Sequence, residues 1–139
     1  MKNITSLLFI LLTSIGFTQV DFDFESPIPT MVGYDNATFT IESNPDMTGN
    51  SSTNVGRVVK VAAEQFAGGK ITGLSAMDFS NLSTSVLSMK VYTSQPIGTI
   101  IRIKLEGPFT GEKEAVTTVS GAWETLTFDF GPLASTGST

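Results

Sequence analysis

Along most of the chain apolar and polar residues alternate one by one, the period of a strand with one buried face. The runs at 86–92 (VLSMKVY), 99–106 (TIIRIKLE) and 123–130 (WETLTFDF) show it most clearly. In the last of these, Leu126, Phe128 and Phe130 share one face and leave Thr125, Thr127 and Asp129 on the other. Runs at 20–25, 37–42, 57–62, 70–77 and 114–119 also read as strands. In the first, Phe22 and Phe24 would point inward, and Asp21, Asp23 and Glu25 outward. Gly, Pro, Asn and Ser punctuate the gaps, and no helical period persists beyond a turn predicted near 78–83. About eight short strands with such connections predict an all-β fold, an antiparallel β-sandwich or jelly roll.

The N-terminus departs from this pattern. Lys2 precedes a short apolar run at 4–15, and Gly16 and Thr18 place small residues before Gln19. That is the form of a secretory signal peptide, and the run falls short of the roughly 20 residues needed to span a bilayer. The expected organisation is a signal peptide at 1–18, a β-sandwich at 19–131 and a linker or truncated tail at 132–139. The expected location is outside the cell or on its surface, with no membrane insertion.

Composition narrows the chemistry. The chain has 13 acidic and 8 basic residues in 139, a net charge of −5, and loss of Lys2 with the leader makes it more negative. Nucleic acid and anionic lipid both need a basic footprint, so neither is an expected partner. There is no cysteine, hence no disulfide, thiol nucleophile or zinc–thiolate site, and no histidine to complete a serine triad. Two-carboxylate glycoside hydrolysis stays formally open, because Asp21, Asp23 and Glu25 share one strand face and loosely resemble the acidic signature of family sixteen glucanases. Three features oppose it: Asp stands where that signature has Glu, no scaffold precedes the motif, and the chain is short for such a catalytic domain. The expectation is a protein without catalysis of its own.

Two kinds of binding residue remain. In the polar stretch NPDMTGNSST at 44–53, Asp46, Thr48 and Asn50 alternate in a way that could wrap oxygens round a Ca²⁺ ion, which takes about six to eight of them. The glycine and terminal glutamate of an EF-hand are missing, and a long turn punctuated by Pro45 and Gly49 explains the same residues equally well. Aromatic rings are the other kind, since a pyranose stacks its apolar face on them while polar neighbours bond its hydroxyls. Tyr34, Phe66, Tyr92, Phe109 and Trp123 are the candidates, each with a core role as the competing reading. Phe66 in EQFAGGK and Phe109 in GPFTGEK stand in loops, where a large ring has less reason to be buried.

Taken in order, FDFE, NPDMTGNSSTNVGRVVKV, DFS, VLSMKVYTSQPIGTIIRIKLE and TTVSGAWETLTFDF resemble a galactose-binding-like jelly-roll carbohydrate-binding module of the family four and nine type. Such modules recur in secreted polysaccharide-degrading proteins of Bacteroidetes. The likeness runs over about residues 20 to 130. It implies a structural calcium tying the first strand to the last, with Glu25 as one ligand and Asp129 as a stand-in for the other; Asp46 is the candidate from the polar loop. It also implies a further strand ending in tyrosine and paired aspartates, which this sequence does not contain, and it suggests Phe66 as a contact, because relatives tend to carry Trp there.

The function expected on these grounds is polysaccharide binding, most plausibly of a β-glucan, by a non-catalytic module joined covalently to a glycoside hydrolase. The competing expectation is a structural or adhesive cell-surface spacer with the same strands and no sugar contact. Clustering of Phe66, Phe109 and Trp123 on one exposed face would favour the binder.

Overall fold

A computed structural model of the chain describes residues 22–25, 28, 30–62, 64–74, 85–106 and 110–131. These form eight strands: β1 (Thr30–Tyr34), β2 (Thr38–Ser43), β3 (Asn54–Val59), β4 (Gly68–Thr72), β5 (Val86–Tyr92), β6 (Ile100–Leu105), β7 (Gly111–Val116) and β8 (Trp123–Asp129). All pairing is antiparallel, in four two-stranded ladders: β1 with β4, β2 with β3, β5 with β8, β6 with β7. The protein is therefore all-β, and the arrangement is consistent with a sandwich.

Each half of the chain repeats one device, an inner pair nested within an outer pair. Backbone bonds carry the ladders round the corners: Gly98 N–H donates to Thr117 O (2.8 Å), Thr117 N–H to Thr99 O (2.9 Å) and Gly121 N–H to Thr93 O (2.7 Å). The buried Thr117 hydroxyl also accepts from Thr99 N–H at 3.1 Å, so a polar side chain at the corner is satisfied without water. The ribbon thereby folds over itself while its donors and acceptors stay paired.

The core lies in the second half. Leu126, Phe128 and Phe130 of β8 and its extension are buried, and Leu87, Met89 and Val91 of β5, Ile101, Ile103 and Leu105 of β6, and Ala115 of β7 pack against them. Leu126, Phe128 and Phe130 are the inward set that alternation predicts for the last strand, and full burial of such a side chain contributes about 1.5–3 kcal/mol. In the first half Phe24 and Phe39 meet at 6.1 Å between ring centroids. A methyl at Gly56, opposite Ile41 in the β2–β3 ladder, would stand 2.7 Å from both of those rings.

The boundaries depart from expectation in four places. No strand forms at 22–25, because Phe24 adopts a φ of 61° and the Asp23 carboxylate caps Glu25 N–H at 3.0 Å, making a turn out of the predicted strand. Strand β1 instead occupies Thr30–Tyr34 and reverses through Asp35 and Asn36, with φ of 50° and 62°, closed by Ala37 N–H on Tyr34 O at 3.0 Å. An Asp-Asn pair tolerates that left-handed backbone, which was the available sequence signal. Strands β3 and β7 begin three residues before the predicted 57 and 114, since their ends are set by their partners: Ser43 faces Asn54, and Leu105 faces Gly111. The apolar alternation of RVVKVA runs on to 62, but the β2–β3 ladder ends at Val59 opposite Thr38. Strand β4 runs from Gly68 to Thr72 rather than over 70–77, the last part of which lies outside the described residues, as do the turn expected at 78–83, the leader at 1–18 and the tail at 132–139.

Candidate functional site

The polar loop at 44–53 is built round Asn44. Its amide donates to Asn50 O and Ser52 O, both at 2.8 Å, and its N–H to Thr53 O at 2.8 Å. Three side chains cap backbone N–H groups two residues on: Asn44 for Asp46 (3.0 Å), Asp46 for Thr48 (2.8 Å) and Asn50 for Ser52 (3.2 Å). The oxygen-rich composition thus folds into a chain of Asx turns, the short-range competition with ladder bonding that Asn and Asp are suited to.

This loop is pinned to the far end of the chain. Trp123 Nε1–H donates to Asp46 O (2.7 Å) and Asn44 Oδ1 (3.1 Å), and Lys90 Nζ donates to Gly49 O. Trp123 faces Tyr92 across the β5–β8 ladder, with ring centroids 5.5 Å apart and planes tilted by 59°. Both rings are half-buried, and the indole N–H is already engaged within the protein. Trp123 therefore clasps the loop, and Tyr92 packs against it from the neighbouring strand.

The three carboxylates expected at a calcium site lie in separate hydrogen-bonding settings. Glu25 accepts from Asn54 N–H (2.8 Å) and Asn54 Nδ2 (3.0 Å), joining the segment before β1 to the start of β3. Asp46 caps the loop, and Asp129 accepts from Gly131 N–H at 2.7 Å. Among the described residues no group of three or more carboxylate, imidazole or thiolate side chains could hold a metal ion.

A second cluster gathers round Phe66. Its ring is 61% exposed, and the Arg102 guanidinium of β6 stands 5.8 Å from the ring centroid. Arg102 is fixed from the other side by β7, bonding Glu112 at 3.0 Å and Glu114 through both Nε (2.8 Å) and Nη2. Lys104 and Lys70 each reach Glu106 at 2.9 Å, so β4 and β6 are tied through one carboxylate. Tyr34, 42% exposed, lies across Gly68, where an added methyl would come 2.9 Å from its hydroxyl. Its position is felt at Arg102 and at Lys104: hydrogen bonds to Glu114 and to Glu106 chiefly hold these two cations protonated, and Glu112 and Tyr34 add to both.

Electrostatics on this face are settled by pairing. Lys70 first, then Lys104, pull the Glu106 carboxyl down to about 2 from 4.5. All the charged side chains concerned remain partly exposed, so each pair contributes little to stability. Their effect is on shape and charge: an aromatic ring open to solvent, framed by side chains that are held in place and neutral in sum.

Of the five aromatic candidates, the fold brings Tyr34 and Phe66 into the neighbourhood of Arg102, and Tyr92 and Trp123 together at the polar loop; Phe109 lies outside the described residues. Arg102, Lys104, Lys70 and their glutamate partners were not singled out from the sequence. The available signal was the outward phase of IIRIKL set against GEKEAV, which pairs Arg102 with Glu114 and Lys104 with Glu112 across the ladder. No family model, curated protein or solved structure matches the chain.

Proposed function

We propose that this protein is a secreted, non-catalytic module that binds polysaccharide, and that the Phe66 face is its contact surface. The observation that carries the reading is a phenylalanine ring 61% open to water in a loop, with the Arg102 guanidinium, itself bonded to Glu112 and Glu114, 5.8 Å from its centroid. Large rings are ordinarily withdrawn from solvent, and one displayed among ordered polar side chains matches what stacking on a pyranose requires. The lack of histidine and cysteine, together with the engagement of Glu25 by Asn54, supports a role without chemistry. Attachment to a polymer through several such modules, or beside a covalently linked hydrolase, would raise a modest single-site affinity by avidity.

One observation favours a structural spacer instead. Trp123 is committed to the loop at 44–53, Tyr92 packs on Trp123, and Phe66 makes different contacts, so among the described residues these aromatics do not form a single strip. Depletion assays on insoluble β-glucan, xylan and chitin, with wild type, Phe66→Ala and Trp123→Phe, separate the two. A binder is depleted by at least one polymer and loses this with Phe66→Ala while Trp123→Phe retains it; a spacer stays in solution throughout. The same assay with EDTA tests the calcium expected from the resemblance.

A further inference from the structure

Resting on the polysaccharide-binding reading, we infer that the paired-charge frame of the Phe66 face selects uncharged, hydroxyl-bearing glycans and rejects uronate or sulfated ones, with Arg102 as the specificity-determining residue. Three cations stand on this face, Lys70, Arg102 and Lys104, and each is bonded to a glutamate: Lys70 and Lys104 to Glu106, and Arg102 to Glu112 and Glu114. A ligand carboxylate or sulfate would have to displace one of these glutamates and leave it beside the new anion. The chain as a whole carries a net charge of −5, which opposes approach of a polyanion at every distance inside the screening length.

A sugar hydroxyl meets no such conflict. It is donor and acceptor at once, so a pair of neighbouring hydroxyls can give to a Glu114 oxygen and take from an Arg102 N–H without breaking the ion pair. Among the described residues, Arg102 belongs to both parts of the site, standing 5.8 Å from the Phe66 centroid while bonded to Glu112 and Glu114. The low pKa of Glu106, about 2, keeps the frame charged in mildly acidic surroundings.

The test is affinity electrophoresis of the purified chain in gels containing laminarin, hydroxyethylcellulose, alginate or dextran sulfate, at low and high NaCl. The expected result is retardation by a neutral glucan that is indifferent to salt, with no retardation by alginate or dextran sulfate. Arg102→Ala should weaken that retardation at least about tenfold, and Arg102→Lys, which keeps the charge and loses the planar fork, should weaken it too. Circular dichroism of both variants should match wild type. Retardation by alginate or dextran sulfate that vanishes in high salt overturns the inference. Neutral-glucan binding lost with Phe66→Ala yet untouched in both Arg102 variants also overturns it and leaves the binding function standing; free migration in all four gels removes the binding function and this inference together.

Discussion

Trp123 illustrates how one residue can be read in two ways until its neighbours are known. Its indole N–H is shared by Asp46 O and Asn44 Oδ1, and both acceptors belong to the loop at 44–53. Trp123→Phe keeps an aromatic ring but removes the indole donor, which leaves Asp46 O without that bond while Asn44 Oδ1 keeps the Asp46 N–H, so stability should fall by about 1 kcal/mol in urea unfolding. The amide protons of Asp46 and Thr48 should exchange faster in the same variant, because the turn that protects them is no longer held down. Unchanged exchange would deny the clasp. Glu106 gives a prediction in pH. Its carboxyl, paired with Lys70 and Lys104, sits near 2 in the folded protein against 4.5 ordinarily. A depressed folded value means that its contribution is present above 4.5 and is lost as the pH falls toward 2. Because the pair is exposed the effect on stability is small, so the direct check is NMR titration of the Glu106 carboxyl: a midpoint well below 4.5 is expected, and an ordinary one would contradict the pairing.

At the scale of elements, the β2–β3 ladder depends on an absence of side chain. Gly56 stands where a methyl would meet the rings of Phe24 and Phe39 at 2.7 Å. Overpacking of this kind costs about 1–3 kcal/mol, so Gly56→Ala should lower the melting temperature although alanine suits a strand better than glycine does. A neutral or stabilising result would mean that the two rings can part. Strand β8 shows the opposite dependence, on a side chain that is present. Phe128 is buried to 1% exposure between partly buried residues of β5, β6 and β7, and Phe128→Ala should cost about 3–5 kcal/mol. With so few fully buried apolar residues among those described, that loss is a large part of the whole, and cooperative unfolding should be weakened or abolished.

For the whole molecule, both surfaces join the chain's two halves, one through the loop and Trp123, the other through Lys70–Glu106 and Phe66–Arg102, and the second also exposes the Phe66 ring. Phe66→Ala removes a ring that is mostly in water, so stability should change little; on the proposed reading retention on polysaccharide is lost, and a large fall in stability would make Phe66 a packing residue. The sequence by itself determined the all-β class, the inward set of β8, the absence of thiol and imidazole chemistry, and the turn chemistry available to 44–53. Period-two alternation and residue type act locally, and local signals survive without coordinates. Tertiary structure alone decided that β1 starts at Thr30, that β3 and β7 are displaced by three residues, and that Arg102 lies over Phe66, because strand ends follow from the partner's register and the Phe66–Arg102 contact joins residues 36 positions apart. It also divided the aromatics, giving Trp123 to the loop through acceptors 77 and 79 residues away and leaving Phe66 to the solvent: exposure is a property of what packs above a side chain, which no alternation along the chain encodes.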